Sequence, residues 1–188
     1  MRYLPFVLLS MLLLCGCDLF RLRDTEAPET TDPPLWNDPT SWDNCRQNLE
    51  YCYEDDRNAV KYYGLFTSGF SFHFDPQDSL DFNLNGPLSR SQEQDLLFNL
   101  HEQAGHLDVS LRNLPGQADD IGPSSARIIR GYTISRTRSG DPEPKHYSGR
   151  MELRFVKSGA WWYIDRWFDY RSASDSLSWG NLKHEFLQ

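Results

Sequence analysis

"GRMELRFVKSGAWWYIDRWFDYR", residues 149–171, carries two long strands joined by a tight turn. Met151, Leu153 and Phe155 alternate with Arg150, Glu152 and Arg154, the two-residue period of a strand with one buried face. Gly159 marks a turn, and residues 160–170 read as a second, aromatic strand. The charged set Arg150, Glu152 and Arg154 is expected to form a solvated face with cross-strand pairs. Tryptophans and tyrosines alternating in such a sheet are expected to be core.

Working outward, two more strands precede this pair. Leu107, Val109 and Leu111 alternate in one, and residues 128–137 form the other, with a turn at Gly140. Further upstream, Phe70, Phe72 and Phe74 alternate with Ser71, His73 and Asp75, which gives an earlier strand with an aromatic face. Helices flank it. Ser41 caps a helix to about Asp56, with Trp42, Cys45, Leu49, Cys52 and Tyr53 spaced as an apolar stripe. Asn58 caps a short second helix that Gly64 to Gly69 closes. Ser89 or Ser91 starts a helix through Leu96, Leu97 and Leu100. Ser178 caps a last short helix, with Leu177 and Leu182 placed as a hydrophobic staple.

Helices first, then a strand, a helix and a meander of long strands is an α+β pattern. With "WDNCRQNLEYCYEDDRNAVKYYGLFTSGFSFHFDP" at one end and residues 149–171 at the other, residues 40–188 resemble the nuclear-transport-factor-2-like (cystatin-like) superfamily. That resemblance implies N-terminal helices packed on a strongly curved antiparallel sheet, making a cone. The combination of "FHFDP", "LSWGNLKHEF" and the opening segment discussed below resembles uncharacterised bacterial lipoproteins of this fold. No catalytic signature belongs to these motifs.

Candidate chemistry is sparse. Enzymes of the superfamily, such as ketosteroid isomerase and scytalone dehydratase, use Asp, His and Tyr inside the cone. By that resemblance His73 and Asp75, sharing one strand face, and Asp169 on the last strand form a candidate polar site, where a buried carboxylate would act as a general base. If the phenylalanine face lines the core, however, His73 and Asp75 point to solvent, and Asp169 is expected to pair with Arg166 or Arg171 at the sheet edge. "HEQAGH", residues 101–106, misses the zinc motif, because its histidines are five apart rather than four. Neither a metal nor a cofactor is expected. An acidic chain, net −8 with pI near 5.0, argues against nucleic acid, which needs a basic face.

The opening segment concerns location. Met1 and Arg2 precede an apolar run from Leu4 to Cys15, too short to span a bilayer and read as a signal-peptide core. "LLLCGCD", residues 12–18, places Leu14-Cys15-Gly16-Cys17 in the pattern of a bacterial lipobox. That resemblance implies cleavage after Gly16 and acylation, including palmitate, of Cys17; stable anchoring takes more than one chain. Loss of residues 1–16 removes one arginine and no acid, taking the net charge from −8 to −9. Asp18 resembles an inner-membrane retention signal, with the outer membrane as the alternative. Residues 17–39, with four prolines and six acids, read as a disordered tether in the cell envelope, and Trp36 either docks on the domain or stays loose. Cys45 and Cys52, seven apart on one helix, lie about 10 Å apart along its axis, too far for a disulfide. The expected role is a ligand-binding or protein-interaction module, with a small apolar ligand, a protein partner or a second copy as candidate partners. The alternative is a small isomerase, dehydratase or cyclase using the cone.

Overall fold

Helix α1, Trp42–Glu54, begins where the Ser41 side chain accepts a hydrogen bond from the Asn44 amide. The computed structural model describes residues 32–138 and 140–187, so the expected signal segment, Cys17 and Asp18 lie outside the described residues. Residues from Pro34 onward belong to one unit. Cys45 and Cys52 on α1 are both free and buried. Burial pushes the Cys45 thiol up to about 12 and also raises Cys52, so both act as small apolar side chains.

After α1 the chain runs through a 3-10 turn at Asp56–Asn58 into α2, Ala59–Tyr62, and a second 3-10 turn at Tyr63–Leu65. Asn58 makes no side-chain cap. Its amide donates instead to the Leu35 carbonyl at 2.9 Å. Strand β1 is Phe66–His73, followed by α3, Pro76–Asp81, which the sequence reading missed, and by β2, Leu88–Ser89. Ser89 and Gln92 form a full capping box for α4, Arg90–Gln103. Then come β3, His106–Asn113, and β4, Asp120–Ile121, before the long strands β5, Ser125–Thr137, β6, Lys145–Ser158, and β7, Trp161–Arg171. Helix α5, Trp179–Glu185, is capped by Ser178 with Asn181 as its box partner.

The sheet order is β2-β1-β7-β6-β5-β3, with β4 on β5. It is mixed rather than wholly antiparallel: β1 runs parallel to β7, and every other pair is antiparallel. One sheet face carries the core. Ile128, Met151, Leu153, Phe155, Ile164 and Trp167 are buried there, with Leu49 of α1 and Leu97 of α4 in the same apolar cluster.

The domain begins earlier than expected. Residues 35–39 were read as the end of a tether, yet they are bonded to the domain: the Asn37 amide donates to Asn48 at 2.8 Å, and the Trp162 amide donates to the Pro39 carbonyl at 2.8 Å. Trp36 packs on the core with the Lys61 ammonium 4.7 Å from its ring centre. Because the segment forms no helix or strand of its own, its backbone groups are met by partners in the domain.

Strand β7 departs from simple alternation. Arg154 faces Arg166 but Phe155 faces Ile164, so Asp165 is one extra residue. Such a bulge shifts the face on which later residues point. Trp162 and Ile164 point inward before it, and Trp167 and Asp169 after it. Beside it β1 is irregular too, its register shifting between Phe66 and Ser71.

Candidate functional site

The three residues of the candidate polar site do not converge. Asp75 is off the strand. It caps α3, accepting from the Gln77 amide at 2.8 Å and from the Arg171 amide at 3.1 Å. His73 lies half-buried on the outer sheet face, stacked on Phe168 at 4.5 Å with its Nε2 2.9 Å from the Ser71 hydroxyl. Burial lowers its pKa, and the Arg166 and Arg154 charges lower it further. His101 of α4 bonds through Nε2 to the Cys52 carbonyl at 2.7 Å, away from His106 at the start of β3.

Asp169 alone is inside. It was expected to pair with Arg166 or Arg171 at the sheet edge, but the β7 bulge turns it inward, where it is 1% exposed. Its Oδ1 accepts from the Tyr132 hydroxyl and its Oδ2 from the Gly180 amide, both at 2.7 Å. The Trp179 amide donates in turn to the Tyr132 oxygen at 2.7 Å. Two of the first amides of α5 therefore meet Asp169 and its tyrosine partner, an arrangement favoured at a helix N-terminus. Burial raises the Asp169 carboxyl to about 6, which these bonds pull back without cancelling. Arg171 goes instead to Asp78 and Asp81 of α3, while the Ser178 hydroxyl donates to Asp78 at 2.6 Å.

A second ionic centre lies in the core. Lys183 of α5 is 0% exposed and paired with Glu93 of α4, also 0% exposed. Its Nζ donates to the Tyr53 hydroxyl at 2.9 Å, and the Tyr62 hydroxyl donates to Glu93 Oε2 at 2.8 Å. The ammonium lies 4.2 Å from the Trp167 ring centre and 4.3 Å from that of Phe72. Burial alone would push it down, but Glu93 and Tyr53 outweigh that and hold it above its usual value. The other Glu93 oxygen and the Trp167 and Trp179 indole nitrogens have no protein hydrogen bond.

The sequence held a signal for this pair. Glu93, Leu96, Leu97 and Leu100 share one helical stripe, and so do Trp179, Leu182, Lys183 and Phe186. One charge in each apolar stripe fits either a snorkelling head or a buried pair, and here the two charges pair. Asp169 had no such signal, because strict alternation cannot anticipate a bulge.

On the outer face, Glu152 is buried at 5% exposure rather than solvated, held by Arg127 at 2.6 Å and Arg154 at 2.8 Å. Beside these arginines opens a cleft of about 330 Å³, lined among others by Asp120, Ser125, Asp165 and Arg166. Among the described residues, no group of three or more His, Cys, Asp or Glu side chains could hold a metal ion.

No protein-family model and no curated protein matches the chain. Solved structures do. A nuclear transport factor 2-like superfamily protein from Salmonella enterica gives a TM-score of 0.54 at 14% identity, over 70% of this chain and 89% of that one. The fold is nuclear-transport-factor-2-like. A conserved protein from Planctomyces limnophilus shares this fold at TM-score 0.56 and 11% identity, over 68% of this chain and 90% of that one. So does a type 2 hexachlorocyclohexane dehydrochlorinase, at 0.54 and 8%, over 69% of this chain and 81% of that one. Proteins named for catalysis and proteins named for the fold alone thus share this nuclear-transport-factor-2-like architecture.

Proposed function

We propose that this is a lipid-anchored bacterial envelope protein, acylated at Cys17, whose nuclear-transport-factor-2-like domain is a binding module rather than an enzyme. The observation that carries the reading is the occupied interior. Lys183 fills the space between α1, α4 and the sheet where a catalytic cone would need a cavity, and the Lys183–Glu93 and Asp169–Tyr132 groups are committed to one another. Binding is then left to the outer face of the sheet.

The enzyme reading draws on one specific feature. Asp169, raised by burial to about 6, has the poise of a general base, and a tyrosine stands beside it. The two readings part on stability. Groups held for catalysis are often strained, so that their removal stabilises the fold. Groups that join helix to sheet destabilise when removed. Asp169→Asn is therefore expected to lower the melting temperature at pH 5, below the folded value of about 6 where the cost of ionising Asp169 no longer weighs, because an amide nitrogen or a lone oxygen cannot accept from both Tyr132 and Gly180. A rise in melting temperature would move the assignment to the enzyme.

A further inference from the structure

The outer face of the sheet carries an arrangement that the fold alone does not require. Arg127 of β5 stands directly opposite Arg154 of β6, and Arg154 opposite Arg166 of β7. Arg166 in turn faces Ser71 of β1. Like charges directly opposed on neighbouring strands destabilise a sheet, and the chain as a whole is acidic, at −8. The Asp165 bulge is what turns Arg166 outward to complete the row.

Three guanidiniums present about fifteen N–H donors. Among the described residues two of these meet protein acceptors, from Arg127 and from Arg154, and both go to Glu152. Arg166 makes no hydrogen bond there. Its nearest carboxylate is Asp165 at 3.6 Å, which already accepts from the Thr67 hydroxyl at 3.0 Å. The three side chains are 46–52% exposed and line the 330 Å³ cleft together with Asp165 and with Asp120, which stands opposite Arg127 on β4. That volume is within the range of small-molecule sites.

We propose that the Arg127–Arg154–Arg166 row is the binding site of a small phosphorylated molecule. Guanidinium forks match phosphate oxygens in pairs. Glu152 holds two of the forks in place, accepting from Arg127 and from Arg154. The inference rests on the binding-module reading and says what the module binds.

The test uses full-length protein in detergent micelles, with inorganic pyrophosphate as probe, followed by titration calorimetry at low salt. Saturable binding at one site is expected, weakening as salt rises. Arg166→Gln should weaken it by about tenfold or more, the worth of one lost charge-assisted contact. Arg127→Gln should weaken it as well. Arg138→Gln, exposed and off the row, should leave it unchanged, and the melting temperature of each variant confirms folding. Binding that survives Arg166→Gln, or that falls equally in Arg138→Gln, overturns the proposal. So does binding to phosphatidylglycerol vesicles without binding to pyrophosphate, which would make the row a membrane contact. If Asp169→Asn stabilises the protein while pyrophosphate binds at the row, the module reading fails and this site stands; the opposite pair of results does the reverse.

Discussion

Lys183 and Glu93 show what a buried pair does at the scale of single residues. Both are fully buried, and each is the other's main compensation. Removing one partner leaves an uncompensated charge, whereas removing both removes the problem. Lys183→Met is expected to cost about 3–5 kcal/mol in urea unfolding, and the double variant Lys183→Met/Glu93→Gln is expected to cost less than that single change. Purely additive losses would show that the two side chains act independently. Asp169 sets a pH dependence of its own. Its folded value, about 6, lies above its ordinary value. The associated stability is present in full below about pH 4 and is lost as pH rises through about 6, on the order of 3 kcal/mol for two units. Asp169→Asn should flatten that slope between pH 4 and 6.

Elements are positioned here by close approach. Helix α5 lies so near β7 and α3 that a Cβ built on Gly180 would meet the Phe74 ring at 2.9 Å, Asp78 at 3.0 Å and Asp169 at 3.2 Å. Alanine at a helical glycine ordinarily gains up to about 1 kcal/mol, but overpacking costs about 1–3. Overpacking should win, because the two carboxylates are pinned by their own hydrogen bonds. Gly180→Ala is thus expected to lower stability in chemical denaturation, while Gly69→Ala, where nothing lies within 4 Å, serves as the control and should change it little. Gly149 repeats the motif across the sheet, leaving room for the Tyr132 hydroxyl that would come within 2.3 Å of a Cβ. At this scale the sequence was most legible where periodicity is regular. Ser41, Ser89 and Ser178 all cap the helices expected of them, and alternation located β3, β5, β6 and β7. It failed at α3, whose six residues show no period, at the two-residue strands, and at the bulge that turns Asp169 inward.

For the whole molecule, the fold was readable from the order of elements, while the candidate site was not. His73 and Asp75 were chosen for sharing a strand face, and the chain separates them because Asp-Pro at 75–76 ends the strand and opens a helix. The groups that do meet come from distant segments, which no local pattern records. The anchor is a question of the same scale. If Cys17 carries the acyl chains, Cys17→Ser should accumulate as uncleaved precursor in the membrane fraction, seen as a mass higher by residues 1–16. A mature chain of unchanged mass in that variant would end the lipoprotein reading.

The distance in sequence between Lys183 and its partners has a consequence for how the chain comes into being. Tyr53 and Glu93 precede it by 130 and 90 residues. While a nascent chain is being synthesised, both helices and every strand of the sheet are made before the ammonium that neutralises Glu93 and the indole that packs on Tyr132. The domain cannot close its core until α5 has emerged, so the early chain stays open. If the chain is exported as proposed, a core completed by a late helix keeps folding from finishing before passage.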